Sequence, residues 1–192
     1  MNKDIVKMMQ SGDFDSAIAQ LNDIIAEDLE NYEAILGVAI SLLESGRLEE
    51  SKKALDHFHN NADATYESYE ALGIYYIRVD DYDKAEEYLL KGLELEPKAG
   101  NLYRNLAMAK AMQHDLDEAD RYLQLALKYD PRNYLTRIAV AQFMIRDHNF
   151  GEAARVLLDI LAANFVIPPD KAEYVMHLLA ELENLQTSET SE

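Results

Sequence analysis

The chain has 192 residues, of which 48% are hydrophobic, and this is enough for a sizeable buried core. Its 36 acidic and 18 basic residues give a formal net charge of −18, which would repel the phosphates of a nucleic acid. The absence of cysteine excludes disulfides and thiolate metal sites, and seven glycines with four prolines are too few for a strand-rich fold with many tight turns. No secretory leader or membrane-spanning apolar run is visible, so we expect a cytoplasmic protein without membrane insertion.

From the N-terminus onward, a pattern with a period of 34 residues predicts five helix–turn–helix units without insertions or deletions. These units are residues 1–31, 32–65, 66–99, 100–133 and 134–167. One position in each unit is always large, one is always small and one is always leucine. In that order, the three columns are Phe14, Leu48, Tyr82, Leu116 and Phe150; Ala17, Ser51, Ala85, Ala119 and Ala153; and Leu21, Leu55, Leu89, Leu123 and Leu157.

The turn inside each unit is predicted from residues that tolerate a left-handed backbone, namely glycine and, less readily, Asp and His. The turn column is Gly12, Gly46, Asp80, His114 and His148. The first unit lacks three residues at its start, so we expect a short first helix and an exposed apolar edge at Ile5, Met8 and Phe14.

After the last unit, residues 169–185 form an amphipathic pattern that predicts a capping helix, because a stacked array needs its last apolar face covered. Residues 1–185 are then a single array, and residues 186–192, which are short of large apolar side chains, are predicted to be a disordered tail.

The third unit carries the clearest family signature, in Tyr69, Leu72, Gly73, Tyr76, Ala85, Leu89 and Pro97. This pattern resembles the tetratricopeptide repeat, and the resemblance covers residues 1–167. It implies an all-α, right-handed solenoid whose first helices line a concave groove that binds other proteins. Units one, two and five depart from the pattern, since Leu29, Asp63 and Phe165 stand where the repeat has proline.

Catalytic chemistry has little support in the sequence, and we expect neither an enzyme nor a bound cofactor or metal. His57 and His59 point to nearly opposite sides of a helix, so they cannot share a metal ion. His59 also lies in a column of Ile25, Leu93, Leu127 and Leu161, which predicts a partly buried packing residue. The acids from Asp81 onward lack the glycine and glutamate that an EF-hand loop requires.

The groove face of the first helices is predicted to be mostly apolar, although a face that meets only water should be polar. Packing between neighbouring first helices is the alternative explanation for its individual residues. The predicted groove residues are Met9, Leu36, Ile40, Leu43, Glu70, Ile74, Ile77, Arg78, Arg104, Met108, Met112, Ile138, Ile145 and Arg146.

Charge is unevenly distributed along the array. Residues 1–99 carry 22 acidic and nine basic residues, whereas residues 100–167 carry eight of each. An apolar floor with an acidic entry suits a peptide or an amphipathic helix of a partner protein. We therefore predict an adaptor or chaperone. The alternative is a structural scaffold that self-assembles into a homo-oligomer through the first repeat.

Overall fold

The computed structural model describes residues 2–162 and 167–189, with side chains described up to residue 184. These residues form α-helices joined by short turns, and no strand occurs among them, so the all-α helical-repeat prediction is confirmed. None of the helices in this part of the chain is long and apolar enough to span a bilayer. The helices are α1 (Lys3–Gln10), α2 (Phe14–Glu27), α3 (Tyr32–Glu44), α4 (Leu48–Asn61), α5 (Tyr66–Arg78), α6 (Tyr82–Leu95), α7 (Gly100–Met112), α8 (Leu116–Tyr129), α9 (Tyr134–Arg146), α10 (Phe150–Ala162) and α11 (Pro169–Glu189).

The five predicted turns all adopt the left-handed backbone. The φ angles are 80° at Gly12 and Gly46, 61° at Asp80, 64° at His114 and 58° at His148. The next residue then donates its N–H back into the helix just ended. Asp81, for example, donates to the Tyr76 carbonyl at 2.9 Å. This closing pattern satisfies carbonyls that a helix end leaves free, and it reverses the chain at the same place in every unit.

The second helix of each unit begins directly after this turn, and aspartate caps three of them. The side chains of Asp13, Asp81 and Asp115 accept hydrogen bonds from backbone N–H groups three residues ahead. Those N–H groups have no partner within the helix, and the carboxylate also meets the positive end of the helix dipole. Arg47 takes this place before α4 and makes no cap; its guanidinium instead binds Glu50.

The chain divides into two compact units, of which the first comprises residues up to 98 together with 112–114. Its core contains the first three members of the leucine column, since Leu21, Leu55 and Leu89 are fully buried. Gly73 lets α5 approach α6 closely: a Cβ added there would lie 2.5 Å from Cγ of Leu89. Small residues in the repeat thus set the distance between the two helices of a pair.

The second compact unit comprises residues 99–111 and the described residues from 115 onward. Leu157 of α10 is fully buried in a core that also contains Val175, Leu178 and Leu182 of α11. Met176 of the same helix is 54% exposed. The residues of α11 that face α10 follow a spacing of three and four, which leaves Met176 on the opposite side.

Two expectations about the ends of the chain need correction. Ile5 is only 1% exposed, because α1 packs against α2 and covers it with Ala17, Leu21 and Ala34. The apolar edge expected there is therefore reduced to the half-buried Met8 and Phe14. At the other end α11 continues to Glu189, so residues 186–189 of the predicted disordered tail are helical. The remaining tail residues, 190–192, and the Phe165 position lie outside the described residues.

Candidate functional site

Three of the predicted groove residues belong to the core. Leu43 is 1% exposed, and Ile77 and Ile138 are each 6% exposed. Neighbouring first helices pack side by side, since α3 and α5 contact one another, and Leu43 joins a core cluster with Ala71 and Leu72. For these three residues the expectation of a binding surface is corrected in favour of helix packing.

The other apolar groove residues reach the surface to different degrees. Met108 and Met112, one turn apart on α7, are 49% and 51% exposed. The half-buried ones, which pack on the core with one side, are Met9, Leu36, Ile40, Ile74 and Ile145. Exposed methionine is an unusual choice for a face that meets only water, and it adapts to apolar partners of varied shape.

A cleft of about 470 Å³ opens beside α3 in the first compact unit, and we call it the α3 cleft. Its lining residues are Tyr32, Glu33, Leu36, Gly37, Ile40, Phe58, Ala62, Asp63, Thr65 and Glu67. Leu36 and Ile40 were predicted as groove residues, and they lie one turn apart on the same side of α3. Its size is within the roughly 300–1,000 Å³ typical of ligand pockets.

Phe58 is a cleft residue that the groove prediction missed, although the sequence carried a signal for it. In the equivalent position of the next two units stand Gly92 and Ala126, both of which are buried. The larger Phe58 ring packs edge-on against Tyr32, with 6.4 Å between the ring centroids. Phe58, which stands where the next two units have the small Gly92 and Ala126, joins the end of α4 to the start of α3 through this aromatic pair.

The arginines predicted on the groove face are engaged within the protein. Arg78 forms an ion pair with Glu44 at 3.1 Å and donates to the Leu43 carbonyl. Arg104 donates to Asn105 and Asn133. These contacts are local to each compact unit and hold the ends of its helices.

Arg146 and Glu70 complete the predicted set. Arg146 forms two hydrogen bonds to Asp147, at 2.7 and 3.0 Å, and its guanidinium stacks 4.4 Å from the centroid of the Phe143 ring. The same hydrogen bonds raise the pKa of Arg146 and lower the pKa of Asp147. Glu70 is half-buried at the surface of α5. The sequence therefore placed these charges on a face but could not show that Arg146 is paired.

A second, more open cleft of about 530 Å³ lies between α2, α3 and α4. Its lining combines apolar residues such as Ile18 and Val38 with the charged residues Arg47, Glu50 and Lys53. Arg47 and Glu50 bind each other across 2.6 Å. The groove prediction, which considered only one face of the first helices, did not include this cleft.

His59 is a packing residue in the structure, as its column predicts. Its ring is half-buried, 5.3 Å from the Tyr69 ring, and its Nε2 atom is buried with no hydrogen-bond partner among the described residues. Burial lowers the pKa of His59 more than a hydrogen bond with the Ser68 backbone raises it. In the part of the chain with described side chains, no three His, Asp or Glu residues lie close enough to hold a metal ion.

His59→Leu is expected to raise the free energy of unfolding by about 1 kcal/mol at neutral pH, because it removes a buried polar atom without a partner. Since the folded protein disfavours the protonated ring, stability falls as the pH drops below about 6.5, the ordinary pKa, toward the lowered one. His59→Leu should weaken this pH dependence. Urea unfolding at pH 7.5 and 5.5 measures both effects, with the exposed His57→Gln as control. An unchanged slope between the two pH values would contradict the argument.

Comparison with known proteins supports a repeat protein. A tetratricopeptide repeat profile matches residues 8–72, and a second matches residues 66–99. A thermophilic tetratricopeptide repeat protein of Thermus thermophilus matches with a TM-score of 0.80 and 16% identity, over 93% of this chain and 94% of that one. MamA of Desulfovibrio magneticus matches with a TM-score of 0.61 and 15% identity, over 82% and 89%.

Human IFIT1, solved as a dimer with m7Gppp-AAAA, matches with a TM-score of 0.67 and 19% identity, over 78% of this chain and 36% of that chain. No curated protein matches this sequence. At these identities the solved structures show a common fold and nothing about a common ligand.

Proposed function

Because this chain belongs to the tetratricopeptide repeat family over residues 8–99, we propose that it is a non-catalytic adaptor or chaperone that binds an apolar or amphipathic segment of another protein. The α3 cleft carries the proposal, since Leu36, Ile40 and the buried Phe58 give it an apolar floor. Binding sites are typically concave, mostly apolar and largely preformed.

The apolar surface on α7 supports the same function. Met108 and Met112 are about half exposed, and a partner segment would bury area that now contacts water. Met108 and Met112, like Leu36 and Ile40 of the α3 cleft, are among the groove residues predicted from the sequence. Binding by helices laid into an apolar groove is a common mode of peptide recognition.

A protein partner is favoured over a nucleic acid. IFIT1 was solved with a capped oligonucleotide on a similar fold, but the net charge of −18 in this chain opposes the approach of phosphates. No cofactor or metal is required for the proposed binding. We place the proposed function in the cytoplasm.

A selection of displayed random peptides tests the proposal, using peptides of about 12 residues, which is long enough for a helix of three turns. Peptides enriched on the wild-type protein should bind the Ile40→Glu variant at least tenfold more weakly, because the variant places a carboxylate in the apolar floor. Leu90→Glu is the matched control, since Leu90 is 41% exposed on α6 and lies outside the cleft.

Ile40→Ala serves as a second variant, because it removes floor contacts without adding charge. Circular dichroism and thermal unfolding establish that each variant is folded. If folded Ile40→Glu and Ile40→Ala proteins bind all selected peptides as tightly as the Leu90→Glu control does, the α3 cleft is not the binding site.

A further inference from the structure

We propose, on the basis of the function above, that the partner segment of the α3 cleft is basic: two or more large apolar side chains flanked by lysine or arginine. The walls of the cleft are apolar, but its edge carries three carboxylates, those of Glu33, Asp63 and Glu67. The lining residues described by the structure include no lysine, arginine or histidine. An apolar floor within an acidic rim selects a segment with the opposite pattern of charge.

The three carboxylates come from different segments of the first compact unit, and all of them line the cleft. Glu33 is in the first turn of α3, Glu67 is in the first turn of α5, and Asp63 lies in the connection after α4. All three are exposed, so a cation of a bound segment can reach them without leaving water entirely. Such rim contacts cost little desolvation and act mainly on specificity and association rate.

The size of the cleft indicates how many apolar side chains it takes. At about 470 Å³ it is larger than the space that one leucine or phenylalanine fills. An amphipathic helix presents apolar residues three and four positions apart on one face, which suits a floor formed by Leu36 and Ile40 with the same spacing. Basic residues that flank this face would then lie over the acidic rim.

The net charge of residues 1–99 is negative, like that of the cleft rim. Residues 1–99 carry 22 acidic and nine basic residues, so a basic segment is attracted before it makes contact. The same field disfavours the C-terminal residues of this chain as the occupant, because residues 181–192 contain four glutamates and no basic residue. A segment of a second protein is therefore the occupant for which the charges are complementary.

The test uses the peptides selected from the random library on the wild-type protein. These peptides should be enriched in lysine and arginine on both sides of their apolar residues. Their affinity, measured by fluorescence anisotropy at low salt, should fall about fivefold to tenfold for the triple variant Glu33→Gln, Asp63→Asn and Glu67→Gln. Raising the salt from 0.05 to 0.5 M should weaken binding to the wild type more than binding to this variant.

A second triple variant controls for the overall charge. Asp23→Asn, Glu27→Gln and Glu94→Gln remove the same number of charges from exposed positions on α2 and α6, outside the cleft. We expect binding to this control within about twofold of wild type, since none of these three carboxylates lines the cleft and exposed charges that make no direct contact are screened by salt. An equal loss in both triple variants would overturn the assignment to the rim.

The outcomes separate this inference from the proposed function. If the selected peptides are apolar without an excess of basic residues, and still lose binding in Ile40→Glu, the cleft binds a partner but the charge assignment is wrong. If Ile40→Glu binds every selected peptide as wild type does, the α3 cleft is not the binding site, and the proposed function loses the observation that carries it. Enrichment of acidic peptides would overturn the inference directly.

Discussion

Leu89→Ala is expected to lower the free energy of unfolding by about 3 to 4 kcal/mol. Leu89 is fully buried and is the member of the leucine column that packs closest to Gly73 of α5. Shortening the side chain removes three buried carbon atoms and leaves a cavity between α5 and α6. The glycine cannot fill this cavity, because it has no side chain.

The neighbouring Leu90→Ala variant is the matched control. Leu90 is 41% exposed on the same helix, so its truncation should cost less than about 1 kcal/mol. Urea unfolding followed by circular dichroism measures both variants. A loss below about 1.5 kcal/mol for Leu89→Ala would mean that α5 and α6 close the gap by moving together, which the tight contact at Gly73 argues against.

Gly73→Val is expected to destabilise the protein by about 3 kcal/mol, because it overfills the contact between α5 and α6. An added Cβ would lie 2.5 Å from Cγ and 2.6 Å from Cδ2 of Leu89, and the two methyl groups of valine extend farther still. These are atoms near the branch point of a fully buried side chain, so they cannot move aside without shifting a helix.

Gly151→Ala is a suitable comparison, since nothing lies within 4 Å of a Cβ added at that helical glycine. It should be neutral or stabilise by up to about 1 kcal/mol through helix propensity. The double variant Gly73→Val with Leu89→Ala should lose clearly less than the sum of the two single variants, since each change fills or vacates the same space. Additive losses in thermal or urea unfolding would show that the two positions are independent.

The periodic sequence was sufficient to predict the helix pairs and their turns. The turn column of Gly12, Gly46, Asp80, His114 and His148 predicted five left-handed residues, and all five are observed. Such a prediction succeeds because a turn of this kind is decided locally, by whether a residue tolerates a positive φ. The prediction that His59 is a packing residue succeeded for a related reason, since equivalent positions in a repeat have equivalent neighbours.

The candidate site was predictable only in part. A helical face contains both the residues that reach the surface and those that pack against the neighbouring helix, and sequence spacing cannot separate them. Leu36 and Leu43 were predicted alike, yet Leu36 lines the α3 cleft and Leu43 is 1% exposed. The sequence likewise could not predict the acidic rim, because Glu33, Asp63 and Glu67 come from three separate segments.

By itself, the sequence determined the all-α class, the five helix pairs, the position of each turn and the acidic character of the first half, because these follow from local conformational preference and composition. Only the tertiary structure decided which groove residues are core, how Phe58 and Tyr32 shape the α3 cleft and which charges surround it. The physical reason is that a cleft exists between elements, where its depth and its rim depend on distances that no single helix encodes.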